Sequence, residues 1–284
     1  MTSIQRALDG DDELIVVDSA SQNGSAIERI ATEAGARYLR APLPGVNRAR
    51  NVGWRAATHQ LIAYVDDDVV VDASWADAFA RSAQTHPSVA FMTGRLGALN
   101  EAAHGGVAVK DDAHAATLTR MSRGDIGHGA NLLVRAGALD KIGGWDESLG
   151  AGARFMSAPE ADLYDRLFLA GYEGRYEPSA RAWHEQWRSS RELVRLDWRY
   201  GFGSGARLAK LVRTDRERAA RVASEAAWGW GVQRLAAPLR DRNKTEVVRV
   251  VARLAGTGAG FGRGLCSRVR HGHYVKRSKR PEKP

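Results

Sequence analysis

The first half of the chain alternates short apolar runs with stretches of helical spacing. Glu13-Leu14-Ile15-Val16-Val17-Asp18 is an apolar run closed by an acid, the pattern of a strand buried on both faces. A polar turn over 19–24 leads into a helix predicted for 25–34, a strand over 36–39 and a Pro-Gly loop at 42–45. Residues 47–58 have helical spacing, and 61–65 form a second buried strand that stops at Asp66-Asp67-Asp68. Ser74 and Asp77 have capping-box spacing for a helix reaching residue 84. Strands over 88–95, 132–135 and 174–177, helices over 136–142 and from Pro159 to Gly171, and a less regular stretch over 100–127 complete this half. Beyond a second capping box at Ser189 and Glu192 the pattern is helical to residue 254, broken at Gly201-Phe202-Gly203-Ser204-Gly205 and at Pro238. We read the glycine-rich break as a hinge or acceptor-side loop, with close helix packing as the alternative. Alternating strands and helices predict an α/β fold, Rossmann-like, with a mainly parallel sheet, helices on both faces and a helical C-terminal extension. Ligands of such sheets bind beyond the carboxyl ends of the strands, where Asp18 and Asp66–Asp68 lie. The expected units are a catalytic-type domain over 1–188, a helical extension over 189–260 and a basic tail over 261–284.

Charge changes this picture at the C-terminus. Of a net charge of +9, residues 260–284 carry +7, from eight Lys or Arg against Glu282. A basic tail on a near-neutral body suits an anionic surface, and a solvated terminus is the plainer alternative. Over 245–265, Arg249 and Arg253 share one helical face and Val247, Val250, Val251 and Leu254 another, so the helix is expected to lie in a headgroup layer, apolar face down. No nucleic-acid recognition motif appears, so nucleic acid is not the expected partner. The single cysteine, Cys266, forms no intramolecular disulfide and suits a reducing compartment. Met1-Thr2-Ser3-Ile4-Gln5-Arg6 leads into polar residues, not a signal-peptide run, so the expected location is cytoplasmic and peripheral to the inner face of the plasma membrane.

Three consecutive aspartates after a buried strand repel one another and call for a cation. Hard divalent ions take carboxylate oxygens and bridge phosphates, which points to a metal–diphosphate site. An acidic turn with no ligand is the structural alternative.

These residues carry a specific resemblance. Asp66-Asp67-Asp68 after Tyr64-Val65 resembles the D-x-D motif of family 2 glycosyltransferases, which have the GT-A fold. Val16-Val17-Asp18-Ser19-Ala20-Ser21 is similar to the family strand that contacts the nucleotide base. Gly45-Val46-Asn47-Arg48-Ala49-Arg50-Asn51-Val52-Gly53 resembles its G-x-x-x-A-R-N-x-G helix start near the nucleoside. Gly129-Ala130-Asn131-Leu132-Leu133-Val134-Arg135 resembles its G-x-N-x-x-x-R segment near the sugar, and Gly143-Gly144-Trp145-Asp146-Glu147 its G-G-F-D-E turn. The match covers residues 14–190, and its weight comes from the order and spacing of the motifs.

The resemblance implies a nucleotide-diphospho-sugar donor held by Asp18, Arg50, Asn51, Asp66 and Asp67. It implies Mn²⁺ or Mg²⁺ on Asp66 and Asp68, with His184 ligating from the far side, and a sugar or acceptor region at Gly129, Asn131 and Trp145. The family's E-D-x-D-L segment matches Pro159-Glu160-Ala161-Asp162-Leu163, with Glu160 where the family has its catalytic Asp. Glu160 is therefore the expected general base and Asp162 the next candidate; a helix N-terminus favours a carboxylate with or without catalysis, and Asp162 also has i,i+4 spacing to Arg166. The acceptor is expected to be a cell-envelope, polysaccharide or lipid-linked glycan. One departure stands out. The family's opening strand has no counterpart here, so either a start assigned too late or a truncated, non-catalytic sugar-nucleotide-binding protein is the alternative. A nucleotidyltransferase would need a Gly-rich basic phosphate loop, which is missing.

Overall fold

The computed structural model of the chain describes residues 1–99, 109–185, 190–229, 234–241 and 243–275. Their packing divides into two units: Met1–Trp145 with Pro159–Leu193, and Asp146–Ala158 with the described part of Val194–Pro284.

In the first unit α1 (Thr2–Ala7) precedes β1 (Ile15–Asp18), α2 (Gly24–Glu33), β2 (Arg37–Arg40), α3 (Val46–Ala56), β3 (Leu61–Val65) and β4 (Val69–Val71). There follow α4 (Trp75–Thr85), β5 (Phe91–Ala98), β6 (Ala116–Leu118), β7 (Asn131–Arg135), α5 (Ala136–Ile142), α6 (Pro159–Leu169) and β8 (Gly174–His184). The larger sheet runs β3-β7-β5-β8-β4, with β6 also on β8. β5 and β8 pair in parallel, and β7 lies antiparallel between β3 and β5, so β3, β5 and β8 share one direction and end on one side of the sheet. The short strands β4 and β6 return antiparallel along β8.

Strand alternation sends Ile62 and Tyr64 of β3 and Leu132 and Val134 of β7 to one face, under Leu163, Tyr164 and Leu167 of α6. Leu133 and Met92 face the other way, against Trp75 and Phe79 of α4. Both faces of the sheet are thus covered, as continuous apolar runs require. β1 and β2 form their own parallel pair. Among the described residues β1 bonds only to β2 and β3 only to β7.

Several expectations need correction. Ser74 is the N-cap of α4, but its side chain makes no cap bond; its hydroxyl donates to Asp72 instead, at 2.7 Å, which leaves the Ser74–Asp77 box unformed. Ser189 of the second expected box lies outside the described residues, as do residues 100–108 of the irregular loop. Residues 146–158 group with the C-terminal unit.

In that second unit α7 (Ser190–Thr214) runs through Gly201–Gly205 without a break. α8 (Arg216–Ala226), α9 (Arg234–Arg240) and α10 (Lys244–Leu265) follow. A Cβ at Gly201 or Gly205 would lie 2.1 or 2.0 Å from backbone carbonyls of α10, and one at Gly260 of α10 1.9 Å from the Phe202 carbonyl. The glycines therefore allow two helices to touch backbone to backbone, and the hinge reading fails. Asp146 is buried with Lys210, whose Nζ lies 2.5 Å from its carboxylate, and accepts from the Tyr274 N–H at 2.9 Å. Tyr274 lies on β10 (His273–Val275), paired antiparallel with β9 (Arg268–Arg270). Residues 261–275 of the expected tail are thus helix end and hairpin, and 276–284 lie outside the described residues.

Candidate functional site

The acidic turn lies where β3 ends. Asp66 and Asp68 are partly covered and Asp67, at the tip, is exposed. Three aspartates leave the strand here because β4 starts at once and returns along β8, which places Val69 opposite His184. His184 Nε2 lies 3.5 Å from Asp68 Oδ1, and the Glu185 N–H donates to the Asp68 carbonyl at 2.9 Å. Residues 116 positions apart in sequence thus present a carboxylate and an imidazole side by side at the carboxyl ends of β3 and β8. A hard carboxylate with one imidazole suits Mn²⁺ better than Mg²⁺. Among the described residues no group of three potential ligands is already assembled.

Arg50 connects this turn to the interior. Its Nη2 donates to Asp66 at 3.0 Å and to the Gly129 carbonyl at 3.3 Å. The guanidinium lies 4.6 Å above the Trp145 ring and 5.9 Å from the Tyr64 ring. Its Nη1 is buried and has no hydrogen-bond partner among the described residues. A buried cationic donor left open is costly, and an incoming anionic oxygen would satisfy it. A Cβ at Gly129 would lie 3.0 Å from Nη1, so glycine is what leaves the guanidinium its room.

Glu160 stands in the first turn of α6, half-buried. One turn on, Tyr164 is fully buried, stacked 4.8 Å from Phe91, and its hydroxyl has no partner among the described residues. Burial first, then the charges of Glu160 and Asp125, push that phenol well above its usual range, with Arg50 acting the other way. Asp125 and His128 form a pair at 2.9 Å. Burial opposes a charged His128, but the Asp125 carboxylate and the charge of Glu160 outweigh it and raise its pKa. Burial likewise opposes a charged Asp125, and the bond to His128 outweighs it and lowers that pKa. Glu160, Tyr164, His128, Asp125 and Arg50 therefore act on one neighbourhood. Sequence reading missed Tyr164, Asp125 and His128. The i,i+4 spacing of Tyr164 from Glu160 was a usable signal for the first; for the pair only the three-residue spacing just before Gly129 was available.

The pair gives a titration test. Stabilisation through His128 is present below its unfolded pKa, about 6.5, and is lost as pH rises through the raised folded value. That through Asp125 is present above its unfolded pKa and is lost as pH falls through the lowered folded value. Following the His128 ring by NMR should give a midpoint above 6.5, the ordinary value for histidine, and Asp125→Asn should lower it. A midpoint unmoved by the substitution would dissolve the pair.

Other expected site residues are engaged inside the protein. Asp18 is buried and accepts from the Ser21 N–H at 2.8 Å, the Tyr38 hydroxyl at 3.0 Å and Arg40. Its pKa is lowered, chiefly by bonding to Ser21 against the effect of burial. Asn51 exchanges two bonds with the Trp145 backbone, both 2.9 Å, and accepts from Trp54. It clasps α3 to the turn after α5, where Gly144 (φ +74°) leaves no room for a Cβ beside Asn51 Oδ1. Trp145 is 1% exposed and donates to the Tyr64 hydroxyl, so it belongs to the core and supports Arg50 from below. Asp162 is buried against Arg166 at 2.9 Å, and Arg166 donates onward to the Ile142 and Gly144 carbonyls. That makes Asp162 part of the tie between α6 and the turn.

Asn131 is likewise engaged inside the protein. It is fully buried, accepts from Trp75 Nε1 at 2.8 Å and donates to the Arg95 and Ala180 carbonyls, both at 2.9 Å. Its side chain ties β7, β5, β8 and α4 together. Asn131→Leu should strand one buried donor and two carbonyls, at a cost of about 2–4 kcal/mol in urea unfolding. An unchanged midpoint would remove this cross-link from the core.

The sheet order, the acidic turn closing β3 and the helix carrying Glu160 define the GT-A fold, and comparison agrees. The fold is shared with a mannosyltransferase, PcManGT from Pyrobaculum calidifontis in complex with GDP-Man and Mn²⁺, at TM-score 0.52 and 17% identity over 86% of this chain and 77% of that one. It is also shared with S. aureus TarS 1-349 in complex with UDP, at TM-score 0.59 and 12% identity over 99% and 92%. Residues 1–143 match Glycosyl transferase family 2, and the chain belongs to that family. It is 30% identical over 173 residues to the pre-mycofactocin glycosyltransferase of Mycobacterium tuberculosis, a match over 58% of this chain and 35% of the relative. The chain thus spans about a third of the length of the curated relatives it matches.

Proposed function

We propose that the chain catalyses inverting transfer of a sugar, a hexose or similar unit, from a nucleotide-diphospho-sugar to an acceptor hydroxyl. The observation that carries this is the 3.5 Å approach of Asp68 and His184 where β3 and β8 end, in a family 2 GT-A chain. Asp68, His184 and Asp66 would hold a divalent ion, Mn²⁺ or Mg²⁺. Such an ion, when bound, neutralises charge building on the departing diphosphate. The open Nη1 of Arg50 offers a further donor to an anionic oxygen. Asp18, Asn51 and exposed Asp67 border the nucleoside end, the first two by shaping it. Glu160 accepts the proton of the acceptor hydroxyl as that oxygen attacks the anomeric carbon opposite the leaving diphosphate. The acceptor in this reading is a cell-envelope, polysaccharide or lipid-linked glycan met at the inner face of a membrane.

Incubation of the purified chain with UDP- and GDP-sugars, with Mn²⁺ or with chelator, tests the proposal. Release of nucleoside diphosphate and a product of inverted anomeric configuration by NMR are expected; retained configuration would overturn the mechanism. Among the described residues β1 pairs only with β2 and β3 only with β7, which supports a second reading, a sugar-nucleotide-binding protein without turnover. Tight donor binding with no transfer to any glycan acceptor would select it.

A further inference from the structure

Arg249 and Arg253 of α10 do not face outward. Arg249 Nε donates to buried Asp197 of α7 at 2.8 Å, and Arg253 lies 5.1 Å from the Tyr200 ring and 4.0 Å from Asp197. Burial lowers the Arg253 pKa to about 10, against the charges of Asp197 and Tyr200. Val250, Gly256, Gly260 and Gly264 are buried on the same side. The expected headgroup-facing arginine face is thus the inner face of the helix, and its register puts another set of residues outside.

That outer set is Val248, Val251, Leu254, Ala255, Ala259 and Leu265, with Gly258 and Gly262 between them, all exposed. Val248 and Val251 are each 53% exposed, Leu254 39% and Leu265 41%. From Val248 to Gly262 the exposed row contains no charged side chain, an apolar stripe about 21 Å long at 1.5 Å per residue. Exposed cations lie at both ends: Lys244 at the start, and Arg263, Arg268 and Arg270 on the last turn and the hairpin. Residues 276–284 add five Lys or Arg against Glu282. A water-facing helix would carry Arg249 and Arg253 outside and Val248, Val251 and Leu254 inside; for these residues α10 has the reverse.

We propose that the outer face of α10, with the basic hairpin after it, docks on an anionic lipid bilayer. The stripe enters the headgroup–acyl boundary while Lys244, Arg263, Arg268 and Arg270 meet lipid phosphates and carboxylates. The flanking cations favour this occupant over a second copy of the chain, whose matching face would bring like charges together. The inference extends the proposed function by placing the protein at the surface where a lipid-linked acceptor would be met, and rests on that reading only for the acceptor.

Flotation of the full chain with vesicles of phosphatidylcholine alone, or mixed with phosphatidylglycerol, tests it. Binding should need the anionic lipid and fall at least ~10-fold between low and high salt. Val251→Glu with Leu254→Glu should abolish it; both sites are exposed, and an unchanged thermal melt confirms the fold. Should that variant melt early, Arg268→Ser with Arg270→Ser is the second probe and should weaken binding several-fold. An intact chain that stays unbound, binds neutral vesicles equally or keeps binding in either folded variant overturns the proposal. So does a dimer in light scattering that Val251→Glu dissociates, which would make the stripe a self-association face. Sugar transfer to a soluble acceptor is measured separately: loss of flotation with transfer intact refutes the membrane face alone, and flotation without transfer refutes the reaction alone.

Discussion

Replacing Glu160 by glutamine is expected to slow sugar transfer about 10²–10⁴-fold while donor affinity is retained, the range for removal of a general base. The amide keeps the shape and the helix start but cannot accept a proton. Glu160 is half-buried in the first turn of α6, and its charge reaches both His128 and the unpartnered Tyr164 hydroxyl. The contrast is Asp162→Asn, which should act mainly on stability through the buried bond to Arg166. Single-turnover kinetics beside calorimetric donor titration separate the two effects. Wild-type turnover in Glu160→Gln would move the base elsewhere.

Asp68→Ala is expected to abolish transfer and to lower Mn²⁺-dependent binding of nucleoside diphosphate at least about 100-fold, since loss of outer partners alone costs 10–100-fold at metal sites. His184→Ala should give the same pattern in weaker form. The alternative is that the 3.5 Å contact is only an ion pair between β4 and β8. An ion pair alone predicts lower stability in both variants with metal-dependent binding unchanged. Calorimetry with and without Mn²⁺, next to urea unfolding, distinguishes them.

Much of this site was legible as pattern. The run Leu61–Val65 closed by three aspartates identified a strand and the acidic turn that ends it, because apolar runs and abrupt charge are local properties. Pro159 with Glu160 one residue later marked the start of α6 for the same reason. His184 was placed by resemblance, and its approach to Asp68 depends on antiparallel pairing of β4 with β8, a strand of three residues that carries no usable periodicity. Asp125 and His128 sit in irregular chain, where spacing says little about direction.

Motif residues were harder to assign by role. Asn131, Asn51 and Trp145 fall in segments that resemble ligand-binding ones, yet their side chains are spent on internal bonds. Polar residues at fixed motif positions look alike in sequence whether they hold a ligand or hold the backbone that does. Burial and the count of satisfied donors separate the two, and both are tertiary quantities.

The sequence by itself determined the alternation of strands and helices, the family and the acidic turn, all of which follow from local composition and order. Only the tertiary structure decided which face of α10 is outside. Helical periodicity defines an arginine face and a valine face but not which one meets a neighbour. Here Asp197 on α7 and glycines on both helices draw the arginines inward, since a buried acid needs a cation and bare backbones can approach closely. Val248, Val251 and Leu254 are left to the surface by that choice, while Val250 goes inward with the arginines.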